Sequence, residues 1–380
     1  MERIGKFLQA RKDSNLLRKL NPYSKSENGY IYINNKKYAD FSSNDYLGLA
    51  THPKIIQASS YAAQNIGTGA RASRLLSGSL ELHHKLEEKA AEFKQKPAAL
   101  IFNSGYQANV GIISAIFNKE DVIFADKLCH ASIIDGIKLS GSKLFRYRHN
   151  DSEHLEILLK KERAKYKEAL IITESVFSMD GDIAPLTDIA FLKNKYNAFF
   201  IVDEAHATGI YGKNGSGIIE EQKLIDQVDI IIGTFGKALG SFGGYAACSK
   251  DIRDFLINSA RSFIYSTALP PSTISANIAS LDIIKTEPKL RQTLLENVSF
   301  FRSLLKNIPY ETIGITQIVP IIIGQNKKTI NLSSHLQDQG YWALPIRPPT
   351  VPENKARLRF SITTCHTKET LKKLTEVLYV

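Results

Sequence analysis

The chain has 380 residues, 43% of them hydrophobic and 23% charged, which is a globular composition and excludes disorder, collagen and low-complexity repeats. Three widely spaced cysteines without a CxxC pair exclude a disulfide scaffold, and no apolar run approaches the roughly 20 residues of a membrane span. The net charge of +11 leans towards anionic partners: nucleic acid, a phosphorylated cofactor or an acidic carrier. The basic residues are nevertheless dispersed among acids, as in HKLEEKAAEFKQK (84–96), so neither a nucleic-acid stripe nor a membrane partner is expected. An odd cysteine count with no signal peptide leads us to expect a reducing, cytoplasmic setting.

In chain order, MERIGKFLQARKDSNLLRKL (1–20) has Ile4, Phe7, Leu8, Leu16, Leu17 and Leu20 at spacings that predict an amphipathic helix packed on the body of the protein. Glu2 and Asp13 argue against a mitochondrial presequence. YIYINNKKYADF (30–41) alternates around Asn-Asn-Lys and predicts a hairpin. Leu82, Leu86, Ala90 and Phe93 predict a helix over 79–95. From about 98 to 250 short apolar runs recur: ALIFNS, DVIFAD, KLFRY, ALIITES, AFFIVDEAH, DIIIGTFGK and GYAACS. Alternating with helical stretches, they predict a mainly parallel sheet covered on both faces. Several end in polar residues: Asn103-Ser104, Asp126, Glu174-Ser175, Asp203-Glu204-His206 and Thr234-Lys237. Ligands bind at the carboxyl ends of such strands, so one shared site is expected there. From about 276 follow a long amphipathic stretch (278–307), a strand in IVPIII (318–323), a helix near 329–339, a strand in RLRFSI (357–362) and a last helix over 367–378. The expected organisation is an α/β chain in three parts: an N-terminal helix and hairpin (1–47), a large mainly parallel-sheet domain (48–275) and a smaller α/β domain (276–380).

Lys237 sits in GTFGKALGSFGG (233–244), where glycines let the backbone approach a ligand. A lysine there forms a Schiff base if burial or nearby cations lower its pKa. Taken alone, the segment fits a P-loop-like or simply exposed lysine equally well, although Ala238 excludes a Walker A motif. Asp203 closes the apolar run FFIVD. A carboxylate facing a pyridine nitrogen would keep it protonated and make the ring an electron sink, which is the chemistry of pyridoxal phosphate (PLP). The competing helicase reading of DEAH lacks its Walker A. His130 is placed to stack on a cofactor or take a proton, or is simply structural. Gly105 and Tyr106 open a helix after a strand, where free N–H groups bind phosphate; a plain βα turn is the alternative. His83, His84, Glu87 and Glu88 share a helix with no further ligand cluster, so no metal site is expected. Asp180-Gly181-Asp182 lacks calcium-loop spacing and reads as a turn.

The order FSSNDYLGLATHP (41–53), GTGARASRLLSGS (67–79), NSGYQAN (103–109), CHASIIDG (129–136), ESVFSMDGD (174–182), VDEAHATG (202–209), TFGKALGSFGG (234–244), IYSTALPP (264–271) and IRPPTVPENKARLR (346–359) resembles the α-oxoamine synthases over essentially the whole chain. These are PLP-dependent enzymes of the aminotransferase-like fold, fold type I. The stretch GTGARASR carries an extra Arg71 and departs from the family's Gly-Ser-rich pattern. The resemblance implies that Lys237 holds PLP and moves a proton, that Asp203 pairs with the ring nitrogen, and that His206 bonds the phenolic oxygen. It implies that His130 stacks on the ring, that Ser178 touches the cofactor, and that Gly105, Tyr106 and Thr234 lie near the phosphate. Ser266 or Thr267 would reach in from a second subunit. Arg359 and Asn44 would hold the amino-acid carboxylate, with Arg18 and Thr350 on the acyl substrate. Implied substrates are L-alanine and a pimeloyl thioester on coenzyme A or an acyl carrier protein, the alternative being glycine with acetyl-CoA. The implied assembly is a homodimer with shared sites. A basic nucleic-acid-binding protein is the remote alternative from another class.

Overall fold

The computed structural model describes residues 2–379. The chain divides into two compact units. One comprises the N-terminal residues up to Gly48, Ser178–Asp182 and the chain from Gln292; the other comprises Leu49–Phe177 and Ile183–Arg291. The N-terminal segment thus groups with the C-terminal lobe, and the residues from 276 to 291 with the large unit.

The larger unit is built on a seven-stranded sheet in the order Ala98–Phe102, Gly244–Cys248, Ile230–Thr234, Phe199–Asp203, Ala169–Glu174, Val122–Asp126, Lys143–Tyr147. Only Gly244–Cys248 runs against its neighbours. The runs AALIF, VIFAD and ALIITE are buried along their whole length, which is why they lack the alternation of a one-faced sheet. Edge strand Lys143–Tyr147 is the exception and is partly exposed. Helices Gly105–Ile116 and Ala131–Ser140 pack Ile112, Ile113, Ile133 and Ile137 onto Leu100, Ile123, Ile172, Ile201 and Ile232. Asp126, Glu174, Asp203 and Thr234 each end a parallel strand, so they share the sheet's carboxyl edge.

In the smaller unit, Glu311–Thr312, Ile318–Gly324, Ala356–Ser361 and Pro345–Ile346 form an antiparallel sheet. A second sheet joins Lys25–Glu27 and the hairpin Tyr30–Ile33/Lys36–Asp40 to Tyr341–Trp342. The hairpin turns at Asn34 and Asn35, with φ of 51° and 63°, the left-handed pair that a two-residue turn requires and Asn tolerates.

Two expectations need correction. The N-terminal helix spans only Glu2–Asp13 and buries no residue; Ile4 and Phe7 are each 60% exposed. Asn15 takes a left-handed φ of 57°, while Asn15 N–H bonds Lys12 O and Leu16 N–H bonds Arg11 O, a Schellman ending that stops the helix before Leu16. The stretch 278–307 is two helices, Pro271–Thr286 and Lys289–Leu304, because Pro288 disfavours helical backbone at Glu287.

Candidate active site

Asp203 is 6% exposed at the end of its strand. Its Oδ1 accepts the N–H of Ala205 at 2.9 Å, and its Oδ2 accepts Nδ2 of Asn109 at 2.8 Å. Parallel register places Glu174 beside it. Glu174 Oε1 accepts the backbone N–H of His130 at 2.6 Å. Burial, reinforced by the negative charge of Asp203, pushes the Glu174 carboxyl up to about 8, against the opposing pull of the Lys237 cation and the His130 N–H. The two neighbouring buried carboxyls thus differ in surroundings, with burial and the Asp203 charge favouring the protonated form of Glu174. The third strand-end carboxylate, Asp126, accepts from Leu128 N–H at 2.7 Å, Asn150 N–H at 2.9 Å and His149 Nδ1 at 3.0 Å.

His130 caps the helix Ala131–Ser140, its Nδ1 accepting Ser132 N–H. Burial lowers its pKa; Asp203 and Asp135 oppose that and the Lys237 cation adds to it. Lys237 thus acts electrostatically on both His130 and Glu174. It is half-buried in the loop after Ile230–Thr234. Thr234 donates its hydroxyl to Gly243 O at 2.8 Å and accepts Gly236 N–H at 3.1 Å, which shapes that loop. Ser104 caps Gly105–Ile116 by accepting Gln107 N–H at 3.2 Å. A Cβ on Gly105 would lie 3.7 Å from that of Thr234, so helix start and loop meet. The Tyr106 ring stands edge-on to His130 at 6.2 Å, and its hydroxyl bonds Asp135. His206 is buried just beyond Asp203. Thr267 is exposed, forms a bridge with Ser73, and takes the Asn103 side chain on its carbonyl at 2.8 Å.

The sequence-derived residues of the smaller unit fall into two bonded groups. Arg359 donates to Asn44 Oδ1 at 3.2 Å, to Tyr46 Oη at 3.1 Å, to Ser361 Oγ at 2.8 Å and to the carbonyl of Ser178. Arg18 lies beyond the helix and donates to Thr350 Oγ1 at 2.8 Å. Among the described residues, no three of His, Cys, Asp and Glu gather as metal ligands, and no helix is long and apolar enough to cross a membrane.

Sequence reasoning quoted Asn109, Ser132 and Glu174 within its motifs but gave them no role. It also missed Lys94, fully buried and paired with Glu204 at 2.8 Å, which fixes the segment following Asp203. The available signal was a basic residue at a helix end that burial would force to find an acid.

The pattern of the family described as aminotransferase class I and II matches residues 36–378, and the chain belongs to that family. An 8-amino-7-oxononanoate synthase from Geotalea daltonii is 45% identical over 371 residues, covering 97% of this chain and 94% of its own. The enzyme of that name from Pelobacter propionicus is 48% identical over 332 residues, covering 87% and 85%. Serine palmitoyltransferase from S. paucimobilis superposes with a TM-score of 0.92 at 29% identity, over 99% of this chain and 96% of that one. The 8-amino-7-oxononanoate synthase structure from Francisella tularensis gives 0.77 at 32% identity, over 90% and 97%. Within its class the chain groups with the 8-amino-7-oxononanoate synthases, and the fold is the fold type I architecture expected from its motifs.

Proposed function

We propose that this chain condenses L-alanine with a pimeloyl thioester, releasing the carrier thiol and carbon dioxide, to make 8-amino-7-oxononanoate for biotin biosynthesis in the cytoplasm. The observation that carries the proposal is the convergence of Lys237, Asp203, His130 and Glu174 at the sheet's carboxyl edge. Serine palmitoyltransferase, a structural relative, is solved with PLP.

The residues present fit that cofactor by the chemistry of their donors. A carboxylate at a strand end suits a ring N–H, an amine suits an aldehyde, and a capped helix start opening on glycine suits a phosphate. PLP, when bound, supplies the electron sink that stabilises a carbanion at the α-carbon of alanine. Lys237 is the attachment point and moves the α-proton. Asp203 holds the ring-nitrogen proton, His206 bonds the phenolic oxygen, and His130 covers the ring. Gly105, Tyr106 and Thr234 take the phosphate, with Ser266 or Thr267 supplied by a second subunit, and Ser178 touches the cofactor. Arg359, held by Asn44 and Tyr46, presents a fixed guanidinium to the amino-acid carboxylate. Arg18 and Thr350 contact the acyl substrate, carried on coenzyme A or an acyl carrier protein.

The test is a side-by-side assay of the PLP-loaded protein. Alanine with pimeloyl thioester is expected to turn over; faster turnover of glycine with acetyl-CoA would overturn the assignment.

A further inference from the structure

Asn109 and Ser132 have no role in the function proposed above, yet both are closed to water at 1% and 0% exposure. Asn109 lies on Gly105–Ile116 and Ser132 in the first turn of Ala131–Ser140, two helices packed together. Nδ2 of Asn109 donates to Asp203 Oδ2 at 2.8 Å and to Ser132 Oγ at 3.0 Å. Ser132 Oγ in turn lies 2.8 Å from His130 Nδ1, and the backbone N–H of Ser132 donates to the same nitrogen at 3.3 Å.

The direction of each bond is forced. A carboxylate only accepts, so the Asn109 group facing Asp203 is the NH2. A backbone N–H only donates, so Nδ1 of His130 carries a lone pair. The Ser132 hydroxyl therefore gives its hydrogen to Nδ1 and accepts the second Asn109 hydrogen on its oxygen. A neutral imidazole with a lone pair on Nδ1 carries its proton on Nε2. Asn109 Oδ1 is buried without a hydrogen-bond partner, a defect that an apolar side chain would avoid. The amide is explained by its two donated hydrogens.

We infer that Asn109 and Ser132 are positioning residues: a one-way donor chain that ties His130 to the Asp203 carboxylate and, together with the backbone N–H of Ser132, holds it as the Nε2–H tautomer. The free edge of His130 then offers a donor and no lone pair, which leaves proton removal to Lys237. Burial of the imidazole favours the same neutral form. The catalytic consequence rests on the proposed function; the tautomer does not.

The test is the imidazole ¹⁵N spectrum of the PLP-loaded and cofactor-free protein, with His130 identified by its loss in His130→Gln. A protonated Nε2 and a bare Nδ1 are expected in wild type. Ser132→Ala and Asn109→Ala leave the backbone N–H of residue 132 on Nδ1 but remove or loosen the hydroxyl donor, and are expected to move the bare Nδ1 resonance of His130 downfield and lower kcat with alanine about tenfold. Ser132→Thr, which keeps the hydroxyl, restores the wild-type spectrum. Nδ1 protonation in wild type, or unchanged spectra in both alanine variants, overturns the inference. Absence of turnover with alanine and pimeloyl thioester, with the expected tautomer present, would sink the proposed function and leave the donor chain standing.

Discussion

Asp203 and Glu174 sit side by side on adjacent strands, and their surroundings differ. Asp203 receives two N–H donors that fix its orientation. Asp203→Asn keeps the size and removes the charge that would hold a ring-nitrogen proton. PLP should still bind, while deuterium exchange at the α-carbon of alanine falls by at least about a hundredfold; near-normal exchange by proton NMR would refute this role. Glu174, raised to about 8 in the fold, works in the opposite direction. Its favourable protonated form is fully populated below the ordinary carboxyl pKa, and its contribution to stability is lost as pH rises through about 8. Glu174→Gln retains an acceptor for His130 N–H and cannot ionise. The cofactor-free variant should therefore melt at least about 2 °C above wild type at pH 9 and match it near pH 5. Equal melting temperatures at both pH values would show that Glu174 is not the group concerned. The motifs pointed to candidate site residues because PLP chemistry demands specific functional groups. Asn109 and Ser132 escaped notice because a buried donor chain has no sequence pattern: it exists only once two helices meet.

Elements whose apolar patterning came from burial were readable. The strands ending at Asp126, Glu174, Asp203 and Thr234, and the helices after Ser104 and His130, match their apolar runs because each is covered by the same core. The N-terminal helix was over-extended because Leu16 and Leu17 continue the apolar spacing, whereas the backbone at Asn15 had already turned away. That turn frees Arg18 from the helix, and Arg18 and Thr350 are hydrogen-bonded. Arg18→Ala should lower kcat/KM for the thioester about ten- to a hundredfold, while alanine binding, followed by the cofactor's absorbance, is unchanged. An unaffected kcat/KM would leave Arg18 a surface residue. The helix Glu81–Lys94 makes a fully buried tie at its last residue. Lys94 reaches Glu204, Thr208 Oγ1 at 3.0 Å and the carbonyl of Ser216, with both charged groups out of water. Removing one partner strands the other charge. Lys94→Met should cost about 3–5 kcal/mol in urea unfolding, and adding Glu204→Gln should recover much of it. Additive losses in the double variant would mean that the two charges are not coupled.

At the scale of the whole molecule, the large unit leaves apolar surface uncovered where a second subunit is proposed. Leu76 is 77% exposed and Tyr265 71%, with Leu75 and Phe242 also exposed. Ser73 bridges to Thr267, and Ala268 N–H bonds Ala72 O, so the Leu75–Leu76 and Tyr265–Thr267 stretches are joined. Apolar side chains gathered beside an exposed hydroxyl suit an interface that delivers Thr267 to a neighbour's phosphate site. Arg74 and Glu87, ion-paired at 2.8 Å behind this surface, hold its loop to the helix Glu81–Lys94. If Thr267 serves the other subunit, a Lys237→Ala protomer and a Thr267→Ala protomer complement each other. Their heterodimer contains one site with both residues intact, and random mixing makes half of all dimers heterodimers. Two separately inactive preparations, unfolded and refolded together, should regain about one quarter of wild-type activity. No recovery, with mixed dimers demonstrated by differential tags, would assign Thr267 to its own subunit. A monomeric mass by light scattering at assay concentration would remove the shared site altogether.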